Sequence, residues 1–482
     1  MNILYAQFSH VLLYNLNFQP IQEKVIFRKD FKKKAFIKVK LFDSVRVPNR
    51  APHSKKHLSF DALLAGLRES FENIPDSRQQ GKVKYGLTDC LVGGFAMMFF
   101  QDASILEFQR RWEEDEQRSN LQSIFGLEKT PSDSQFREIL DAIHPDSLYD
   151  TFTMLYNRMQ RGKFLESFEF LHDRYIIAID ATEYFHSETI NCSNCLTKKI
   201  NGVTHYSHSV LQAAMVHPDL RNIIPLEPEA ISNSDGAKKQ DCELNAAKRW
   251  LNRFRRKHPK IKAFIAGDGL YSHEPFIHDL KEADFSFLLV AKPADHKFLF
   301  QKLEQLEMTN KLHTLEVIDS KNNMHTYRWA NELPIKSDNR LKINYFSYEL
   351  FNADKDKITY KNSWVTDIAV AQSNIVALVR GARARWKVEN EGFNTLKNHG
   401  YEIEHNYGHG SKNLSYNFYL LNLLAFFTHQ ILEMTCRLYK KARAKFSARK
   451  EYWNQMRCTF RIMQFQCWNE YIFRIIGRPR PP

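Results

Sequence analysis

The sequence has no even set of cysteines, no leader-like N-terminus and no clean apolar run long enough to cross a bilayer. Seven cysteines form no paired framework, which argues against a secreted chain stapled by disulfides. The first residues show no basic start followed by an apolar stretch and a small-residue cleavage site. Together these absences lead to the expectation of a reducing cytoplasm. The stretch CLVGGFAMMFF (90–100) is too short to span a membrane, and LSYNFYLLNLLAFFTHQIL (414–432) is interrupted by Asn417, Asn422, His429 and Gln430. Both therefore read as core helices, and no membrane partner is expected. No internal repeat is visible.

What is present is size, aromatic content and positive charge. The chain has 482 residues, of which 43% are hydrophobic and 13% aromatic, ample for a large packed core in two or three domains. Lys and Arg outnumber Asp and Glu by 69 to 55, giving a formal charge of +14. Such an excess suits a polyanion: DNA, RNA or anionic lipid. The excess is concentrated from Arg437 to Arg480, where acids are scarce and Tyr452, Trp453, Phe460, Phe465 and Trp468 are interleaved with the cations. One reading is a phosphate-contacting segment, the other a solvated helical face over a core.

Patterning divides the chain. Residues 1–57 read as an irregular basic extension and linker. From 58 to 170 the apolar periodicity is helical, with Ser132 and Gln135 placed as a capping box and Pro145 closing that helix. At DRYIIAIDATEYF (173–185) the pattern changes to a β-rich run, followed by predicted strands at 209–216, 222–228, 262–268 and 285–293. Predicted helices fall at 241–258 and near 274–282. This order implies an α/β fold with a mixed sheet and flanking helices. Residues 294–378 read as a β-rich insertion, 379–435 as a return to the α/β domain, and 436–482 as a basic helical C-terminal segment. The stretch RARWKVENEGFNTLKNHG (383–400) reads as one amphipathic helix on which Glu389 shares a face with Phe393 and Leu396, while Glu391 falls on the polar side near Lys387.

Asp180 ends the apolar run YIIAID, and Asp268 ends KAFIAGD. Acids at the C-terminal ends of buried strands stand where open α/β sheets build their sites. With an inward-facing Glu389 they form an oxygen-only cluster that repels itself unless a hard divalent cation, Mg²⁺ or Mn²⁺, neutralises it. The plainer partner for Glu389 is Arg385, one turn earlier.

The segments IIAIDATEY, AFIAGDGLYS and RWKVENEGFNTLK, with the N-terminal PDSRQQGKVKYGLTDCL, resemble the DDE transposases of bacterial insertion sequences over roughly residues 60–435. The resemblance implies an RNase H-like catalytic domain over 171–293 and 379–435, with the β-rich insertion between the second Asp and the Glu. It also implies a DNA-binding helical domain over 58–170 and a triad of Asp180, Asp268 and Glu389. The activity implied is two-metal-ion cleavage at the ends of the element and transfer of the freed 3′-OH strands into target DNA. The implied partners are double-stranded DNA, as terminal inverted repeats and as target, and a second copy of the chain in a synaptic homodimer. The family's helical signature often carries a Tyr three residues before the Arg and a Lys seven after the Glu. Here Ala382 holds the first position, and Lys397 lies eight after Glu389. Arg385, Lys397 and Trp386 are candidate DNA-positioning groups, through a forked phosphate contact, a point charge and base stacking. The alternatives are a non-catalytic DNA-binding protein derived from such an enzyme and a structure-specific nuclease on the same fold.

Between the first two predicted strands, Cys192 and Cys195 form a C-x-x-C pair followed by His205 and His208. Four ligands of these types in a short hairpin are the donor set of a structural Zn²⁺ site, with His186 as a substitute.

Overall fold

The computed structural model describes residues 56–477, apart from 80, 82, 114–119, 130, 234–239 and 338–339. The basic extension expected over 1–57 lies outside the described residues except for its last two.

The first part is helical. Ser59 caps the helix Phe60–Glu72 through its hydroxyl, which accepts from the Ala62 amide at 3.3 Å. Among the described residues the α-helices Leu87–Phe100, Ile105–Glu113, Asp133–Asp141 and Tyr149–Arg161 follow. The expected capping box is absent: Ser132 is the N-cap of Asp133–Asp141, but its side chain accepts no bond there. Instead the Asp133 amide donates to the Gln109 side chain at 3.0 Å, so a neighbouring helix supplies the acceptor. Pro145 opens a separate 3₁₀ turn, Pro145–Leu148.

Helix Leu87–Phe100 is apolar on all sides and is buried against the long helix Leu414–Thr435. The polar residues that interrupt the long helix find hydrogen-bond partners inside the protein. Asn417 donates to the Leu140 and Ile143 carbonyls, Asn422 donates to the Tyr401 carbonyl, and His429 bonds the Tyr401 hydroxyl. Among the described residues no single helix is long and apolar enough to cross a membrane.

Eleven strands form one mixed sheet: β1 (Tyr175–Ser187), β2 (Leu196–Ile200), β3 (Val203–Val216), β4 (Ile224–Pro225), β5 (Glu229–Ile231), β6 (Ala263–Gly267), β7 (Ser286–Val290), β8 (His313–Ile318), β9 (Met324–Pro334), β10 (Lys342–Asn352) and β11 (Lys357–Thr366). The path runs β2-β3-β1-β6-β7-β11-β10-β9-β8, with β4 and β5 also on β3. β1 pairs antiparallel with β3 and parallel with β6, and β6 pairs parallel with β7. The central strands are buried on both faces, which is why they read as continuous apolar runs. Helices Glu243–Lys257 and Glu274–Glu282 make the crossovers to β6 and β7.

Three expectations change. The strand expected over 222–228 is only Ile224–Pro225 plus the three residues of β5. The stretch 294–378 contains a helix, Lys297–Met308, before its four strands. Its meander also continues the central sheet, because β11 pairs with β7 through Trp364 opposite Val290. The stretch 383–400 is not one α-helix. The helix Ile375–Arg383 stops, a π-helical turn spans Val388–Phe393, and Asn394–Asn398 resumes.

The interleaved aromatics near the C-terminus are core. Tyr452, Trp453, Phe460, Phe465 and Trp468 are buried, and Trp468 stacks on Phe60 at 4.3 Å between ring centroids. The helices Arg437–Arg443, Arg449–Ile462 and Trp468–Ile476 thus close over the N-terminal helices while Lys440, Lys441, Lys445, Lys450, Arg461 and Arg474 stay exposed.

Candidate active site

Register brings the two aspartates together. Ala178 on β1 lies opposite Ala266 on β6, so Asp180 and Asp268 each stand two residues beyond a matched pair and share a face of the sheet. β1 itself continues to Ser187 against β3, with Asp180 opposite Gln212. Asp180 is therefore mid-strand, at the point where its parallel neighbour ends. Asp268 follows β6 directly and caps the turn Gly269–Tyr271, its carboxylate accepting from the Leu270 amide at 2.9 Å.

The third acid reaches this point through a guanidinium. Arg385 Nη1 lies 2.9 Å from Asp180 Oδ2 and 2.7 Å from Glu389 Oε1. Arg385 is buried, while the Glu389 side chain is 38% exposed at the mouth of the cluster. The π turn explains why Glu389 is not fully beneath the helix: an i,i+5 turn rotates side chains away from the 100° spacing on which the helical wheel depends. Val388, Phe393 and Leu396 hold the buried side instead. Glu391 faces Arg221 at 3.8 Å, and the Lys387 ammonium donates to the Leu220 carbonyl.

A fourth carboxylate belongs to the cluster. Glu243 is the first residue of helix Glu243–Lys257, where the amide dipoles favour an acid. The buried Tyr271 hydroxyl, from the turn that Asp268 caps, donates to Glu243 Oε1. Burial pushes the Asp180 carboxyl up to about 7; Arg385 opposes this, and the nearby Glu389 adds to it. Glu243 is also raised, by burial first, with the Tyr271 hydroxyl opposing and Asp268 reinforcing. Asp180 and Glu389 thus share one guanidinium, with Glu243 close by and Asp268 beside Glu243. Glu243 reads in the sequence as an ordinary acid at a helix start, and only the C-terminal end of β6 reveals its neighbours.

The other candidates are placed as follows. The Lys397 ammonium donates to the Glu183 carbonyl at 3.0 Å and pairs with Glu404 at 2.7 Å. Trp386 is 47% exposed on the outer side of the Arg385 turn. Cys192, Cys195 and His208 do cluster, but His205 is elsewhere: its ring bonds His186 at 3.0 Å. Residues 205 and 208 are three apart on β3 and so face opposite sides of the sheet. The fourth member of the group is His409.

No curated protein matches the chain. Residues 68–155, within the helical part and outside the acidic cluster, match the family described as DDE_Tnp_1-associated, and this match points to a DDE-type transposase family member.

Proposed function

We propose that the protein is a metal-dependent DDE transposase that cleaves DNA at the ends of its element and joins the freed 3′-OH strands to target DNA. The observation that carries this reading is the shared register of Asp180 and Asp268 on adjacent parallel strands, with Glu389 drawn to them through Arg385. The mixed order around β1, β6 and β7, with an insertion before the Glu389 helix, suits an RNase H-like catalytic domain.

The donor set fits a hard cation. Its oxygens are all carboxylate, and one guanidinium leaves most of their charge uncompensated. Asp180, Asp268 and Glu389 would hold two Mg²⁺ or Mn²⁺ ions, which when bound activate an attacking oxygen and stabilise a leaving one at phosphorus. The chain's own groups do the rest. Arg385 orients Asp180 and Glu389 toward each other, and Tyr271 ties Glu243 to the turn that presents Asp268. Trp386 stands exposed beside the site, where it can stack on an unpaired base. Lys397 braces the Glu389 helix against β1. The exposed cations of the C-terminal helices supply phosphate contacts, and a synaptic homodimer would hold two DNA ends at once.

Inverted repeats flanking the reading frame supply the test substrate. Purified protein should nick duplexes carrying those ends in Mg²⁺, and Asp268→Asn should bind the same duplex without nicking it. Substantial cleavage by Asp268→Asn, or no Mg²⁺-dependent cleavage by the unmodified protein, would overturn the reading.

A further inference from the structure

Away from the acidic cluster, β1 and β3 run past the body of the sheet and carry a hairpin that has little apolar surface to bury. Four of the five β2 residues are exposed, Ile200 among them, as are Ile190 and Val203. So small an edge element needs another source of stability. At its base lie four side chains with soft or borderline donors: Cys192, Cys195, His208 and, from the loop before the long helix, His409.

Their spacing is that of a filled coordination shell. The two Sγ atoms are 3.8 Å apart, His208 Nε2 is 3.5 Å from each of them, and His409 Nε2 is 3.7 Å from Cys195 Sγ. A tetrahedral ion with bonds of about 2.3 Å to sulfur and about 2.0 Å to nitrogen has S···S edges of roughly 3.8 Å and S···N edges of roughly 3.5 Å. The observed distances match both kinds of edge. Neither cysteine is in a disulfide. His409 is buried, and its Nδ1 has no partner among the described residues, so the sulfur atoms are the polar company of this ring. A buried imidazole without a strong partner is costly unless a ligand repays it.

We infer that Cys192, Cys195, His208 and His409 bind one structural Zn²⁺ ion that clasps the hairpin to the loop between the Glu389 helix and helix Leu414–Thr435. Four protein ligands close the tetrahedron, as in structural sites and unlike the open acidic cluster. The clasp reinforces contacts on both sides of the loop. Asn194 donates to the Lys412 carbonyl at 2.9 Å. On the far side the Asp141 carboxylate accepts from the amides of Ser411, Lys412, Asn413 and Leu414. The loop is thereby held between the N-terminal helices and the hairpin, and with it the two segments that carry Asp180 and Glu389.

The test is metal analysis of full-length protein purified without chelator, followed by titration of chelator-stripped protein with Zn²⁺ and with Co²⁺. The expected result is about one Zn per chain, with a Co²⁺ form showing the visible absorption of tetrahedral thiolate coordination. His409→Ala should lose most of the metal, whereas His205→Ala should keep it. Because Cys192→Ser can fail to fold, the Co²⁺ titration of the unmodified chain stands independently. Zinc-free protein that takes up neither ion, or retention by His409→Ala with loss by His205→Ala, would overturn the assignment.

Discussion

The two clusters of this protein differ in donors, in openness and in what builds them. The acidic cluster uses oxygen only, sits at the end of the central parallel strands and leaves Glu389 partly exposed. The sulfur and imidazole cluster lies at the base of an edge hairpin, with three of its four members buried. An open carboxylate group can admit a substrate beside a hard ion, and a closed tetrahedral group cannot. On the proposed reading, chemistry belongs to the first cluster and bracing to the second.

The largest separation should come from the aspartates. Asp180→Asn is expected to abolish Mg²⁺-dependent cleavage, a loss of several orders of magnitude in rate, while zinc content and DNA binding stay unchanged. Gel-shift and cleavage assays on the same preparation read both halves, and retained cleavage would dissolve the contrast between the clusters. The converse is Cys195→Ser, which should release the metal and lower the melting temperature by roughly 5 °C or more, with cleavage falling only as folded protein is lost. A melting curve insensitive both to this change and to chelator would make the hairpin self-supporting.

Glu243 sharpens the comparison within the acidic group. Glu243→Gln keeps the hydrogen bond from Tyr271 but removes one of four negative charges, so the Mg²⁺ concentration for half-maximal cleavage should rise several-fold without loss of folding. An unchanged Mg²⁺ dependence would show that Glu243 only anchors Tyr271. A smaller effect is expected at the C-terminal helices. Neutralising Lys440, Lys441 and Lys445 together should weaken DNA binding and flatten its dependence on salt by up to about three counterions, because these side chains are exposed over a buried aromatic core. An identical salt slope would limit those cations to solubility.

The uneven legibility of the two clusters has physical causes. Asp180 and Asp268 stand out because each ends an apolar run that the sheet buries on both faces, and the change from helical to strand periodicity near residue 173 marks where the sheet begins. Glu389 was legible as a helical acid four residues from Arg385, and that ion pair is present. Its exposure was not, because a π turn leaves no mark in the periodicity of apolar residues. Cys192, Cys195 and His208 announce themselves by type and spacing. Strand alternation could have excluded His205, since residues three apart face opposite ways, but nothing local points to His409, which is brought in by the loop ahead of helix Leu414–Thr435. The same holds for the stretch 294–378, whose β-rich character was legible while its continuity with the central sheet depends on a two-residue pairing between β11 and β7. At the C-terminus the sequence left two readings, and burial decides that the aromatics are core.

The central claim is that Asp180, Asp268 and Glu389 act as one metal site, and the two neighbouring glutamates test it most directly. Glu389→Gln and Glu391→Gln remove the same charge two residues apart, the first beside Asp180 through Arg385 and the second beside Arg221. Cleavage of terminal DNA in Mg²⁺ should vanish for Glu389→Gln and stay near the unmodified rate for Glu391→Gln, with the latter costing about 0.5 kcal/mol of stability or less. An active Glu389→Gln protein that melts early would contradict the account, since Glu389 would then be only the structural partner of Arg385.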